Sequence, residues 1–404
     1  MRAEFLGSRL VEPAATETKS SLAAVVRNWS GMHILVTADT VGGVWTYTRE
    51  LVTGLAKRGV RITLVSFGAI PSRAQTDWLA PLSSVTYFPT GFNLEWMQDA
   101  TDLSRDISDS TQYLRSIILE CKPDLLHLSQ YCYGSLDLPI PKIVVAHSDV
   151  MSWSQAVRGF LPQDQWAQWY RSIVKEGLAG ASMLITPSRW MLSCIETFYG
   201  PQHHSRVIYN GRTPALFNPF VSKHNYAASV GRLWDDGKQS HLLMQLKDVP
   251  IPIFLAGSRT LTDESLNKKI PGRGETAVGI QSKGQLSEGE IREILSRAAI
   301  YIATSRYEPF GLAPLEAALS RCAILANDIP SFREIWGDAA IYFRSNDAHS
   351  LQEALALLHD DRHLRLTYAN LAYEHACQRY TAERMVEQYL ELYTALLERR
   401  VSAA

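Results

Sequence analysis

The sequence has almost no net charge. Its 404 residues include 40 Lys and Arg against 41 Asp and Glu, so the formal net charge is −1. Such a balance gives no electrostatic footprint for nucleic acid, which proteins bind through concentrated basic patches. We therefore expect no nucleic-acid partner.

The sequence is also poor in cysteine. Five cysteines are spread along the chain without a Cys-x-x-Cys pair, namely Cys121, Cys132, Cys194, Cys322 and Cys377. This spacing predicts neither a zinc cage nor a disulfide framework. Reduced thiols are typical of cytoplasmic proteins, so we expect a cytoplasmic location and leave peripheral contact with the cytoplasmic membrane face open.

Long hydrophobic runs are missing as well. In the first thirty residues the apolar stretch at 22–26 is far too short for a signal peptide or a membrane span. We predict that residues 1–30 form a polar, mobile leader.

What the chain does contain is an alternation of strand and helix patterns. An apolar run at residues 33–38 precedes helical periodicity through Leu51 and Leu55, and a second apolar run follows at 61–66. This order predicts a βαβ unit and hence a parallel sheet. The length suits two α/β domains, each with its own core, which we place at residues 31–212 and 213–380.

Two adjacent glycines, Gly42 and Gly43, follow the first predicted strand. Open α/β sheets bind ligands at the carboxyl ends of their strands, where a missing Cβ allows close approach. The dinucleotide fingerprint Gly-x-Gly-x-x-Gly is absent, so an NAD site is not indicated. A tight strand-to-helix turn explains the same glycines equally well.

The most informative stretch is residues 305–319. The pattern predicts a buried strand directly before it, and then a loop and a helix within it. Gly311 permits close backbone approach, and Pro314 suits the first helical turn. The free amides around Gly311 and Leu312 would form a seat for phosphate at the positive end of the helix. Glu308 precedes this seat and Glu316 is expected in the first turn, so the two carboxylates could hold the hydroxylated ends of a nucleotide sugar. Taken alone, Glu316 is better explained as an acid that complements the helix dipole, and only its combination with Glu308 favours the sugar-nucleotide role.

Other candidate residues lie at the ends of other predicted strands. His147 follows the run at residues 142–146, where a hydrogen-bonded core histidine is the alternative. Arg232 and Lys238 follow a strand near residue 230, where solvated surface charges are the alternative. The sequence there does not match a Walker A loop, because five residues instead of four separate the glycines and Gln instead of Ser or Thr follows the lysine.

The two glutamates, separated by seven residues with Pro-Phe-Gly after the first, resemble the donor-site signature of retaining family-4 glycosyltransferases of the GT-B fold. The similarity extends from His33 to nearly the C-terminus. It implies two Rossmann-like domains with parallel sheets facing an interdomain cleft. It also implies that a terminal helix, residues 381–404, packs back on the first domain.

The resemblance implies a role for each candidate residue. Glu308 and His147 would be catalytic. The donor-binding residues would be Gly42, Gly43, Arg232, Lys238, Phe310, Gly311, Leu312 and Glu316.

The implied reaction is transfer of a hexosyl group from a nucleotide-diphosphate sugar to an acceptor hydroxyl, with the anomeric configuration retained. The acceptor would be a carbohydrate, a lipid-linked or a small molecule. We expect no cofactor and no metal, because no Asp-x-Asp motif occurs and the diphosphate already has two cations and a helix N-terminus. A GT-B nucleotide-sugar epimerase and a non-catalytic nucleotide-binding subunit remain alternatives. The base, the sugar, the acceptor and the oligomeric state stay open.

Overall fold

The computed structural model describes residues 29, 31–98, 102–247, 249–258 and 279–403. Within them the chain forms two parallel sheets flanked by helices, which confirms the predicted architecture of two Rossmann-like domains. The predicted leader lies, except for Trp29, outside the described residues. No helix in the described ranges is long and apolar enough to span a membrane.

The first sheet has the spatial order β3-β2-β1-β4-β5-β6-β7. Its strands are β1 (His33–Asp39), β2 (Arg61–Phe67), β3 (Val85–Pro89), β4 (Leu125–Leu128), β5 (Lys142–Val145), β6 (Met183–Thr186) and β7 (Ser205–Val207). The helices of this part of the chain are α1 (Gly43–Ala56), α2 (Arg73–Thr76), α3 (Leu103–Cys121), α4 (Val150–Arg158), α5 (Gln165–Gly180) and α6 (Arg189–Tyr199).

The second sheet has the order β10-β9-β8-β11-β12-β13. Its strands are β8 (His224–Val230), β9 (Ile253–Ala256), β10 (Ile280–Gly284), β11 (Ala298–Ala303), β12 (Ala323–Asn327) and β13 (Ile341–Phe343). The helices are α7 (Glu288–Arg297), α8 (Leu312–Leu319), α9 (Pro330–Trp336), α10 (Ala348–Asp360), α11 (Arg362–Arg379) and α12 (Ala382–Ala403).

The central strands are buried on both faces. Every residue of β1 and of β11 is buried, as expected for parallel strands covered by helices on both sides. In each sheet the strand order reverses beside the domain's first strand, β1 or β8. Such a reversal opens a crevice at the carboxyl ends of the strands, where open α/β sheets bind ligands.

The last helix packs on the first domain. Val386, Tyr389 and Tyr393 of α12 share a core cluster with Leu51 and Leu55 of α1. A Cβ on Gly54 of α1 would lie 2.5 Å from Cγ2 of Val386, so this glycine allows the two helices to approach closely.

The chain crosses between the domains twice, side by side. The amide of Arg212 donates to the carbonyl of Tyr380 at 3.1 Å, and the amide of Ala382 donates to the carbonyl of Arg212 at 2.9 Å. A Cβ on Gly211 would collide with the carbonyl oxygen of Thr381, so glycine is required for this crossing.

Candidate active site

The glycine loop after β1 faces the second domain. Gly42 has a φ of 74°, and a Cβ there would lie 2.8 Å from Nη1 of Arg232. A Cβ on Gly43 would lie 3.5 Å from Cδ1 of Leu312, the first residue of α8. Gly42 therefore has both a conformation and a close contact that favour glycine, whereas the contact at Gly43 is an ordinary one, and the loop lies opposite the predicted phosphate seat.

Asp39, at the end of β1, holds the turn that leads into this loop. Its Oδ1 accepts a hydrogen bond from the amide of Val41 at 2.6 Å, and its Oδ2 accepts one from Nε1 of Trp96 at 3.2 Å. Burial raises the pKa of Asp39 to about 7 in spite of these bonds. The sequence analysis did not identify this residue, although an acid directly before a strand-to-helix turn is a usable signal.

Helix α8 begins at Leu312 with Gly311 as its N-cap, and no side chain caps it. Gly311 has a φ of 95°, and a Cβ there would lie 3.2 Å from Cγ of Glu308. The first amides of a helix lack intrahelical acceptors, so this end can bind an anion. Phe310 lies in the core, 2% exposed, with its ring 5.3 Å from that of Tyr380. Any donor contact of Phe310 is therefore limited to its backbone.

Glu308 and Lys238 form an ion pair in the lining of a depression. Nζ of Lys238 lies 2.5 Å from Oε2 of Glu308, and the hydroxyl of Ser305 donates to the same oxygen at 3.1 Å. Gly231 and Pro314 also line the depression. The structure thus brings together a cation and a carboxylate from two separate loops of the second domain.

Arg232 is held from behind by Asp235. Its Nη2 donates to Oδ2 of Asp235 at 2.7 Å, while 38% of the arginine side chain stays exposed. Burial favours a raised pKa for Asp235, but the charges of Arg232 and Lys238 together with the hydrogen bonds from Gly237 and Arg232 outweigh burial and lower it, so this carboxylate stays charged. Its Oδ1 accepts from Nε1 of Trp153 in the first domain at 3.3 Å. The sequence analysis identified Arg232 but missed this supporting carboxylate three residues later.

Glu316 lies one turn further along than expected. Because α8 begins at Leu312, Glu316 is its fifth residue, and its placement in the first turn was wrong. Its Oε1 lies 2.9 Å from Nε of Arg212, whose Nη1 donates to Oε1 of Glu50 in α1 at 2.6 Å. Burial raises the pKa of Glu316, and Arg212 opposes that rise.

His147 lies just beyond β5, at the same sheet edge as the glycine loop. Its Nε2 is 3.3 Å from the hydroxyl of Ser129, and its ring meets that of Tyr47 edge-on at 4.5 Å. The side chain is partly exposed, yet burial of the ring lowers the pKa of His147 to about 3, so the imidazole is neutral near pH 7.

His127 in β4 shows what a core histidine looks like in this fold. It is fully buried, with Nε2 3.1 Å from the hydroxyl of Tyr47 and Nδ1 2.8 Å from that of Tyr393. Both nitrogens of His127 have partners, whereas His147 forms a hydrogen bond through Nε2 alone within the described part of the chain.

Among the described residues, no group of three or more His, Cys, Asp or Glu side chains is arranged to hold a metal ion. Metal independence itself stays a prediction.

Two models of protein families match this chain. The model for Glycosyltransferase Family 4 matches residues 41–215, and the model for Glycosyl transferases group 1 matches residues 217–375. Together they match most of both domains.

Two curated relatives and one solved structure are similar over long regions. The chain is 31% identical to the α-maltose-1-phosphate synthase of Mycolicibacterium smegmatis over 311 residues, 69% of this chain and 76% of that protein. It is 26% identical to the O-antigen chain mannosyltransferase RfbU of Salmonella typhimurium over 205 residues, 49% of this chain but only 58% of that protein. The sucrose-phosphate synthase of Thermosynechococcus elongatus superposes with a TM-score of 0.76 at 16% identity, covering 91% of this chain and 100% of that one. At this identity the superposition establishes the fold alone.

Proposed function

The chain belongs to the family-4 glycosyltransferases of the GT-B fold, and from this premise we propose that it transfers a hexosyl group from a nucleoside-diphosphate sugar to an acceptor hydroxyl with retention of configuration. The observation that carries the proposal is the Lys238–Glu308 pair beside the uncapped N-terminus of α8. A diphosphate and a sugar ring would occupy the two sides of this pair.

The diphosphate has three sources of positive charge. Lys238 can exchange its bond to Glu308 for a phosphate oxygen, and Arg232 presents a partly exposed guanidinium held by Asp235. The helix end adds the equivalent of about half a positive charge. Charge-assisted bonds of this kind also stabilise the negative charge that grows on the leaving phosphate.

The sugar would lie between Glu308 and the first domain. There the glycine loop and neutral His147 can contact ring hydroxyls, and Glu308 can stabilise positive charge at the anomeric carbon. The bond between that carbon and the β-phosphate oxygen breaks, the bond to the acceptor oxygen forms on the same face, and the departing phosphate takes the acceptor's proton.

A covalent glycosyl-enzyme route fits the geometry less well. Double displacement uses two carboxylates about 5–5.5 Å apart, one as nucleophile and one as acid and base. Glu316 lies one helical turn into α8 and is bound to Arg212. We assign it to the ribose hydroxyls, at the opposite end of the donor.

The acceptor would enter from the first domain and would be a carbohydrate, a lipid-linked or a small molecule. We place the reaction in the cytoplasm and leave membrane contact to experiment. Because the acceptor could belong to any of three classes, the first assay should measure binding of the donor, which can be detected without an acceptor.

A thermal-shift panel of UDP-, GDP- and ADP-sugars tests donor binding. A ligand at a hundred times its dissociation constant stabilises the folded protein by about 2.7 kcal/mol. We expect one base to give a clear shift, and no shift with any sugar nucleotide would contradict the proposal. Proton NMR of the first-formed product then reports the linkage, expected to be α from an α-linked donor. Conversion of the donor without an acceptor would indicate an epimerase instead.

A further inference from the structure

Tyr307, directly before Glu308, crosses from the second domain into the first. Its side chain is only 5% exposed, and its ring meets that of Trp190 in α6 edge-on at 5.4 Å. The sequence analysis gave this tyrosine no role. Its position beside the candidate catalytic glutamate makes its partners informative.

The hydroxyl of Tyr307 fits a polar socket at the N-terminus of α4. It accepts from the amide of Asp149 at 3.1 Å and lies 2.9 Å from the hydroxyl of Ser152 and 3.2 Å from that of Ser148. Burial raises the pKa of Tyr307, so the hydroxyl keeps its proton and can also donate.

The socket is itself firmly held. Asp149 is the N-cap of α4, and its Oδ2 accepts from the amide of Ser152 at 2.8 Å. Its Oδ1 accepts from the hydroxyls of Tyr199 at 2.6 Å and Tyr170 at 3.2 Å. A buried network with satisfied partners is rigid, so it can fix the position of a side chain inserted into it.

The same helix touches both loops of the second domain that carry candidate donor-binding residues. Trp153 of α4 donates to Asp235, which holds Arg232, and the carbonyl of Val157 accepts from Nη1 of Arg306 at 3.3 Å. Helix α4 therefore contacts the loop of Arg232 and the loop of Glu308 at once.

From these contacts we propose that Tyr307 is a positioning residue that fixes Glu308 relative to His147 across the cleft. Tyr307 adjoins Glu308, and the socket begins at Ser148, the residue after His147, so one hydroxyl ties together the two candidate catalytic residues of opposite domains. Misplacement by about 1 Å at a reacting centre can cost up to 10²-fold in rate. The inference rests on the proposed function, because both residues take their roles from it.

The test compares Tyr307→Phe with Tyr209→Phe. The hydroxyl of Tyr209 donates to Glu334 of α9 at 3.0 Å, so it also crosses the domain boundary, but Glu334 is not a candidate site residue. With the donor found in the panel, Tyr307→Phe should lower kcat about tenfold, while the Kd of the corresponding nucleoside diphosphate changes less than twofold. Tyr209→Phe should leave both within twofold. An equal loss of kcat in the two variants, or a loss confined to nucleotide affinity, would overturn the positioning role.

A second measurement needs no substrate. Hydrogen–deuterium exchange should speed up in the peptide that contains the Asp149 amide in Tyr307→Phe and stay unchanged in Tyr209→Phe. The kcat effects of Tyr307→Phe and Ser152→Ala should be non-additive, because the two side chains share one contact. Unchanged exchange or fully additive effects would overturn the positioning role alone. Failure of the wild type to transfer sugar would instead overturn the proposed function, and the positioning role with it.

Discussion

Glu308 and Glu316 belong to one sequence motif and are almost equally exposed, 13% and 14%, yet their cationic partners differ. Lys238, which pairs with Glu308, is 24% exposed and lies in the depression. Arg212, which pairs with Glu316, is 2% exposed and also binds Glu50 of the first domain.

The difference separates a pair whose cation can move from a pair whose cation is fixed by burial. An ammonium group on a flexible, partly exposed side chain can leave its carboxylate for a phosphate at little cost. A buried guanidinium shared by two carboxylates cannot leave without exposing uncompensated charge. Membership of one motif therefore does not give two residues the same energetic role.

The largest effect is expected from Arg212→Ala. Removing this cation leaves Glu316 and Glu50 without their shared arginine, although Thr213 still donates to Glu50, and breaking a buried ion pair costs about 3–5 kcal/mol. We expect the free energy of unfolding to fall by that order, measured by urea denaturation. The control is Arg206→Ala, whose pair with Glu391 of α12 is exposed and should contribute about 0–1 kcal/mol. Equal destabilisation by both variants would contradict the comparison.

The loss in Arg212→Ala should also depend on pH. Without the arginine the pKa of Glu316 rises further, so the folded state holds a proton that the unfolded chain has released. Stability then falls as pH rises through the pH range between the unfolded and folded pKa values. The deficit relative to wild type should therefore be larger at pH 8 than at pH 5.5.

Features that lie within a short stretch of sequence could be predicted, whereas contacts between distant residues could not. Apolar runs such as β1 predicted the parallel sheets, because strands buried on both faces are continuously hydrophobic. Glu308 and Gly311 could be recognised together because they lie in one short loop. Arg212 and its partner Glu50 are 162 positions apart, and Tyr307 and Asp149 are 158 apart. Local patterns carry no information on such pairs.

Neutral substitutions of the two glutamates should affect different kinetic constants. If Glu308 stabilises the anomeric carbon as proposed, Glu308→Gln should lower kcat by about 10²–10³-fold, the usual loss for one preorganised electrostatic stabiliser. If Glu316 binds the ribose hydroxyls as proposed, Glu316→Gln weakens a ground-state bond and should raise the donor KM about tenfold with kcat nearly unchanged. Steady-state kinetics with varied donor separates the two, and the reverse pattern would show that the roles were assigned the wrong way round.

Removal of either candidate diphosphate-binding cation should have a smaller effect. Hydrogen bonds to charged groups contribute about 1.5–3 kcal/mol, so Lys238→Ala or Arg232→Ala should lower donor kcat/KM about tenfold to a hundredfold. Lys283→Ala, at an exposed position on β10, is the matched control and should behave like wild type. Normal donor kinetics in both site variants would contradict the assignment of Arg232 and Lys238 to the diphosphate.

His147→Ala should lower turnover about tenfold with little change in melting temperature, because the side chain is partly exposed and its hydrogen bond to Ser129 is long, at 3.3 Å. His127→Ala is the opposite case, since it leaves the hydroxyls of Tyr47 and Tyr393 without their partner and should mainly lower stability. The lowered pKa of His147, about 3, adds a pH test. Between pH 7.5 and 5.5 this imidazole stays neutral. The pH profile of turnover near pH 6.5 should therefore have the same shape in the wild type and in His147→Ala.

The smallest effect, none at all, is expected from a chelator. A divalent ion in a glycosyltransferase would neutralise the diphosphate, and we assign that task here to Arg232, Lys238 and the N-terminus of α8. If Lys238 leaves Glu308 when the donor binds, the cation needed at the phosphate comes from within the protein. Initial rates with excess EDTA should therefore equal those with added magnesium or manganese. Activity that is abolished by EDTA and restored by either ion would contradict the proposal that Lys238 leaves Glu308 to bind the diphosphate. The two ion pairs would then no longer differ in the role that we assign to their cations.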